Sequence, residues 1–133
     1  MGGRGAASGL DPYRGRDGKL FRYGDEYKTL WQDGNVKYVT PRDPNDNPRV
    51  PQITRTPNRE YVLVGKDGGL KSICHYDSQG KLDCQIDLDH YHKGMKPHAH
   101  DGFDHGEGRP VTEAEQRTID HVSKRWREHN NGK

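Results

Sequence analysis

The most regular alternation of apolar and polar side chains lies between residues 59 and 89. Residues 61–64, 70–76 and 82–89 read as three strands, separated by turns at residues 65–69 and 77–80 where glycine and aspartate gather. Tight turns between consecutive strands predict an antiparallel meander. In the last strand Leu82, Cys84, Ile86 and Leu88 fall on one face, and Asp83, Gln85, Asp87 and Asp89 on the other. This period of two predicts one packed face and one face that meets solvent or substrate.

Upstream, Tyr27, Leu30 and Trp31 have helical spacing, and residues 36–39 read as a short strand after a turn at Asp33, Gly34 and Asn35. Five of the eight prolines (Pro41, Pro44, Pro48, Pro51 and Pro57) then fall within residues 41–57. Each fixes φ and removes a donor, so the segment is expected to be a long surface connection without a regular element. The clearest helix opens at Thr112, with Glu115 three residues on completing a capping box, and is expected to run to about His129. Its apolar stripe is Ile119, Val122 and Trp126, while Arg117, Lys124, Arg125 and Arg127 largely point elsewhere. The pattern predicts an α+β fold, a small antiparallel sheet with helices against one face.

A length of 133 residues suits one domain, and 28% hydrophobic content leaves it a thin core. The opening MGGRGAASGLDPYRGRDGK cannot offset its ordering entropy by burial, so residues 1–22 are expected to form a disordered tail, with the domain over 23–129 and a short tail at 130–133. A net charge of +2 is too balanced for a polybasic nucleic-acid coat. No run approaches the roughly 18 to 20 apolar residues of a bilayer span, and no apolar leader follows Met1, so no membrane partner is expected. Two cysteines, Cys74 and Cys84, are too few for a disulfide framework; they read as strand residues, with a disulfide across the hairpin left open.

Composition changes the picture most at residues 87–107. Five of the eight histidines stand there, His90, His92, His98, His100 and His105, beside Lys93, Lys96, Asp89, Asp101 and Asp104. The stretch has little periodicity and many turn residues, so a loop leaving a strand end is expected. One chemistry for such a loop is metal-independent cleavage of RNA. A neutral imidazole takes the 2′-hydroxyl proton, that oxygen attacks phosphorus, and a protonated imidazole gives its proton to the departing 5′-oxygen, leaving a 2′,3′-cyclic phosphate. Lys96 or Lys93 would counter charge on the phosphorane. The other chemistry is zinc ligation by His98, His100 and His105, with water in the fourth position as the nucleophile. His75, His121 and His129 are expected to be ordinary strand and helix residues.

The run IDLDHYHKGMKPHAHDGFDHGEG (residues 86–108), the segment YGDEYKTLWQDGNVKYV, the strand LKSICHYD and the helix ending RWREHN resemble the polymorphic toxin type 50 domain. The MGGRG opening is similar to that of small prophage proteins that carry this domain near or fused to minor head proteins. The resemblance implies a ribonuclease-type toxin of the group that includes barnase and the EndoU nucleases. Its fold would be a small curved antiparallel sheet of about four strands packed against N- and C-terminal helices. It implies a metal-free site at His90, His92, Lys93, Pro97, His98, His100, Gly102, His105 and Glu107. Taken with the residue chemistry, the expected catalytic set is His90, His92, Lys96, His98, His100 and His105, with Lys93, Phe103 and Arg109 on substrate. The implied partners are RNA, a cognate immunity protein and a phage head protein. The implied location is the cytoplasm of a target or host cell, on a virion, or within a larger secreted toxin. A non-enzymatic virion module, with the histidine loop as a pH-responsive or metal-stapled surface, is the reading from another class.

Overall fold

The computed structural model describes Ala6 and residues 26–45, 49–88, 97–102 and 108–132. Seven strands precede one helix: β1 (Tyr27–Asp33), β2 (Val36–Pro41), β3 (Glu60–Val64), β4 (Leu70–Tyr76), β5 (Leu82–Asp87), β6 (His98–Asp101), β7 (Arg109–Pro110) and α1 (Glu113–Asn131). They form a single sheet in sequence order. Every neighbouring pair is antiparallel except β2 with β3, which is parallel. The sheet is therefore mixed and seven-stranded. The expected four-stranded antiparallel sheet between N- and C-terminal helices is overturned, and α1 is the one helix among the described residues.

The expected helix at Tyr27, Leu30 and Trp31 is strand β1, and the reason lies in its register. The pairing of β1 with β2 shifts between Thr29 and Trp31, a bulge at Leu30. A bulge inserts one residue and changes the outward-inward phase, so side chains on the two sides of it acquire helix-like spacing without a helix. The chain then reverses at Gly34 and Asn35, with Gly34 at a φ of 61°. That left-handed conformation suits glycine and a tight hairpin.

Both faces of the sheet are covered. On one, Tyr38, Val62, Val64, Ile73, Ile86 and Ala99 pack against Ile119, Val122 and Trp126 of α1. The capping box is present in full: Glu115 N donates to Thr112 Oγ1 and Thr112 N donates to Glu115 Oε1. Tyr38 Oη donates to the carbonyl of Val122 at 3.0 Å, and Trp126 Nε1 to that of Gly68 at 3.1 Å, which ties the helix to β2 and to the β3–β4 turn. On the other face Tyr27, Val39, Tyr61, Leu63, Cys74, Tyr76 and Leu82 form a second cluster, which Ala6 joins.

A parallel pair needs a crossover, commonly a helix. Here residues 49–54 of the connection form a strap over the second face. Tyr27 Oη donates to Arg49 O at 2.7 Å, Tyr76 Oη donates to Pro51 O, Leu82 N to Gln52 O at 3.0 Å and Thr54 N to Gly80 O at 2.8 Å. Pro51 and Thr54 are buried, so this segment is more than a surface connection. Residues 98–101 and 109–110, expected as loop, are strands that extend the sheet past β5.

Candidate metal and acid–base centre

The sequence HAH in β6 is too short to show periodicity, yet it alternates: Ala99 enters the helix-side cluster, which puts His98 and His100 together on the strap side of the sheet. Pairing fixes their neighbours. His98 stands opposite Asp87 and His100 opposite Gln85 on β5, and Asp87 in turn stands opposite Ser72 on β4. One row across three strands is thus Ser72, Asp87 and His98, and the next is Cys74, Gln85 and His100.

These polar side chains are buried: Asp87 is 2% exposed, His98 0% and His100 4%. His98 Nε2 lies 3.1 Å and His100 Nε2 3.4 Å from the same oxygen, Asp87 Oδ2. The two rings are edge to face, with centroids 5.0 Å apart. Asp87 Oδ1 accepts from Ser72 Oγ and from Gln85 Nε2, each at 2.7 Å. A buried carboxylate costs several kcal/mol unless its lone pairs are met, and here each oxygen has two polar neighbours.

Asp87, His98 and His100 could hold a metal ion: one ligand atom from each lies within 4.8 Å of the other two. Four-coordinate zinc with bonds near 2.0–2.1 Å spaces its ligand atoms about 3.3 Å apart. The two oxygen-to-nitrogen separations, 3.1 and 3.4 Å, already match that spacing. The same convergence is also an imidazole pair sharing a carboxylate, an arrangement that can exchange protons.

Of the expected site residues, the structure brings together His98 and His100. His90, His92, Lys93, Lys96, Phe103, His105 and Glu107 lie outside the described residues. Arg109, expected on substrate, bridges three elements. Its guanidinium donates to both carboxylate oxygens of Asp101, at 2.6 and 2.9 Å, and to both of Glu115, at 2.7 and 2.8 Å, joining β6, β7 and α1. Those bonds hold the Glu115 carboxyl down at about 2. Asp87, Ser72 and Gln85 are absent from the expected set, because alternation alone predicts that the polar face of β5 is open to solvent or substrate. Their signal was in the sequence: Gln85 and Asp87 alternate with core residues immediately before the histidine run.

The remaining histidines divide. His75 is exposed on strand β4, and His121 is exposed on α1. His129 stacks on Trp31 with ring centroids 4.3 Å apart. A cleft of about 520 Å³ lined in part by Lys28, Arg42, Lys66 and Trp126 includes none of Ser72, Gln85, Asp87, His98 and His100.

Compared with known protein families, with curated proteins and with solved structures, the chain matches none of them.

Proposed function

We propose that the chain is a hydrolase-type domain that cleaves RNA phosphodiesters at a centre made by Asp87, His98 and His100, with a divalent ion of the zinc class held there. The observation that carries the chemistry is the approach of both imidazole nitrogens to one carboxylate oxygen at metal-ligand spacing. The substrate class comes from the resemblance of residues 86–108 to ribonuclease-type toxins. An ion at this centre would supply Lewis acidity and an activated water. The chain's own contribution is to fix two imidazole nitrogens and one carboxylate oxygen in a buried setting held by sheet register. A cognate immunity protein and a phage head protein are the partners this reading carries, and the cytoplasm of a target cell is its place of action.

A second reading, metal-independent cleavage by the same two imidazoles, is favoured by their 5.0 Å separation across a shared carboxylate. One would act as base and the other as acid, and Asp87 would orient both.

The test incubates the purified full chain with total RNA, with and without a strong chelator, and maps the fragment ends. Cleavage that stops on chelation and returns with added zinc is the expected result. Cyclic phosphate ends that survive chelation would transfer the assignment to the two-imidazole reading. Intact RNA under every metal condition would overturn both.

A further inference from the structure

Two buried side chains bond the oxygen of Asp87 that lies away from the imidazoles. Ser72 is 4% exposed and Gln85 7%, and both donate to Asp87 Oδ1 at 2.7 Å. They come from different strands, β4 and β5, so their grip on the carboxylate is set by sheet register rather than by a mobile loop. Gln85 must turn its NH₂ toward Asp87, since the opposite orientation would set its carbonyl oxygen against a carboxylate. With Oδ1 engaged twice, only Oδ2 faces the imidazoles.

We infer that Ser72 and Gln85 are positioning residues that hold Asp87 as a one-oxygen ligand and so restrict the centre to small, four-coordinate ions such as zinc or cobalt(II). This inference rests on the metal reading of the site. Calcium takes six to eight oxygens and commonly uses both oxygens of a carboxylate, which an occupied Oδ1 denies it. Magnesium demands six oxygens in near-octahedral array, and two imidazoles do not supply them. Hydrogen bonds of this kind to a metal-bound carboxylate change affinity by about 10- to 100-fold when removed.

The experiment prepares the metal-free full chain and titrates zinc and cobalt(II) by calorimetry and by the visible absorption of tetrahedral cobalt, with calcium and magnesium as competitors. Ser72→Ala and Gln85→Met each remove one donor, and Ser72→Thr keeps the hydroxyl. Wild type and Ser72→Thr are expected to bind one zinc with similar affinity and to ignore calcium in excess. Ser72→Ala and Gln85→Met are expected to bind zinc about 10- to 100-fold more weakly, with an altered cobalt spectrum. A purely structural role would change the melting point of the metal-free protein and leave the spectrum as it is. If wild type binds zinc and both donor-deleted variants bind it equally well with the same spectrum, the positioning role is overturned. If wild type binds neither ion, the metal reading itself fails. Should Ser72→Ala not fold, Gln85→Met and Ser72→Thr decide between the same outcomes.

Discussion

Arg109 ties β6, β7 and α1 together through one guanidinium. At the end of the histidine-rich stretch, it is expected from the sequence to meet substrate. Its four bonds to Asp101 and Glu115 engage the guanidinium, and two bidentate pairs suit the planar fork of an arginine. The consequence is a pH dependence of known sign. Glu115 is held at about 2, first by its bonds from Arg109 and then by the backbone amide of Thr112 and the Arg109 charge, against an ordinary value of 4.5. A depressed carboxyl stabilises the fold above its unfolded value and loses that contribution as pH falls from about 4.5 toward 2. With partial solvent screening the amount is about 1–2 kcal/mol. Arg109→Ala is therefore expected to lose about that much stability at pH 7 and less between pH 4.5 and 2 than wild type does. Denaturant midpoints of both proteins at pH 7, 4 and 2.5 measure it, and parallel losses on acidification would assign the acid sensitivity elsewhere.

At the scale of elements, the strands with clean alternation and the capped helix were legible. β3, β4 and α1 lie where the pattern put them, since period and caps are local properties. The failures share a cause: a bulge or a long-range pairing that no local window contains. The bulge at Leu30 imitated a helix, and a register shift between His75 and Tyr76 sends Leu82 into the strap-side cluster, away from Cys84 and Ile86 on the helix side. β6 and β7 are strands because β5 offers an edge to pair with, which four and two residues cannot announce by themselves. The same register closes the disulfide question. Cys74 stands opposite Gln85, and Cys84 opposite His75, so the two thiols lie on opposite faces of the sheet. Burial pushes both upward, Cys84 to about 12, with the neighbouring Glu115 carboxylate adding to its rise. Native protein is expected to keep two free thiols under air oxidation and to react with maleimide far more slowly than an exposed cysteine. A two-dalton mass loss on oxidation of the folded monomer would contradict the register. The strap gives a second prediction at this scale. Gly80 has a φ of 80°, and a Cβ there would lie 2.1 Å from the carbonyl oxygen of Thr54. Gly80→Ala should cost roughly 2–4 kcal/mol, from strain and from the displaced strap together, read as a lower denaturant midpoint.

For the whole molecule the question is why a chain with so little apolar material commits part of a sheet face to Ser72, Gln85, Asp87, His98 and His100, all buried. Buried ionic groups are a poor source of stability, and apolar residues of similar volume commonly do as well or better. The arrangement is accounted for if the centre binds something whose free energy adds to that of folding. An ion that binds the folded chain and not the unfolded one stabilises it by an amount set by its concentration over its Kd, about 2.7 kcal/mol at a hundredfold excess. For a domain of this size that is a rise of about 10 °C in Tm. Wild type is expected to show such a rise with zinc and not with magnesium, whereas Asp87→Asn, which keeps the shape but not the charge, should melt at one temperature with or without the ion. His98→Ala should behave as Asp87→Asn does. The comparison is made within each variant, so any direct effect of the substitution on the fold cancels. A Tm that ignores zinc in wild type would leave the buried cluster without an ion to account for it, and the two-imidazole chemistry would then have to explain the same five side chains.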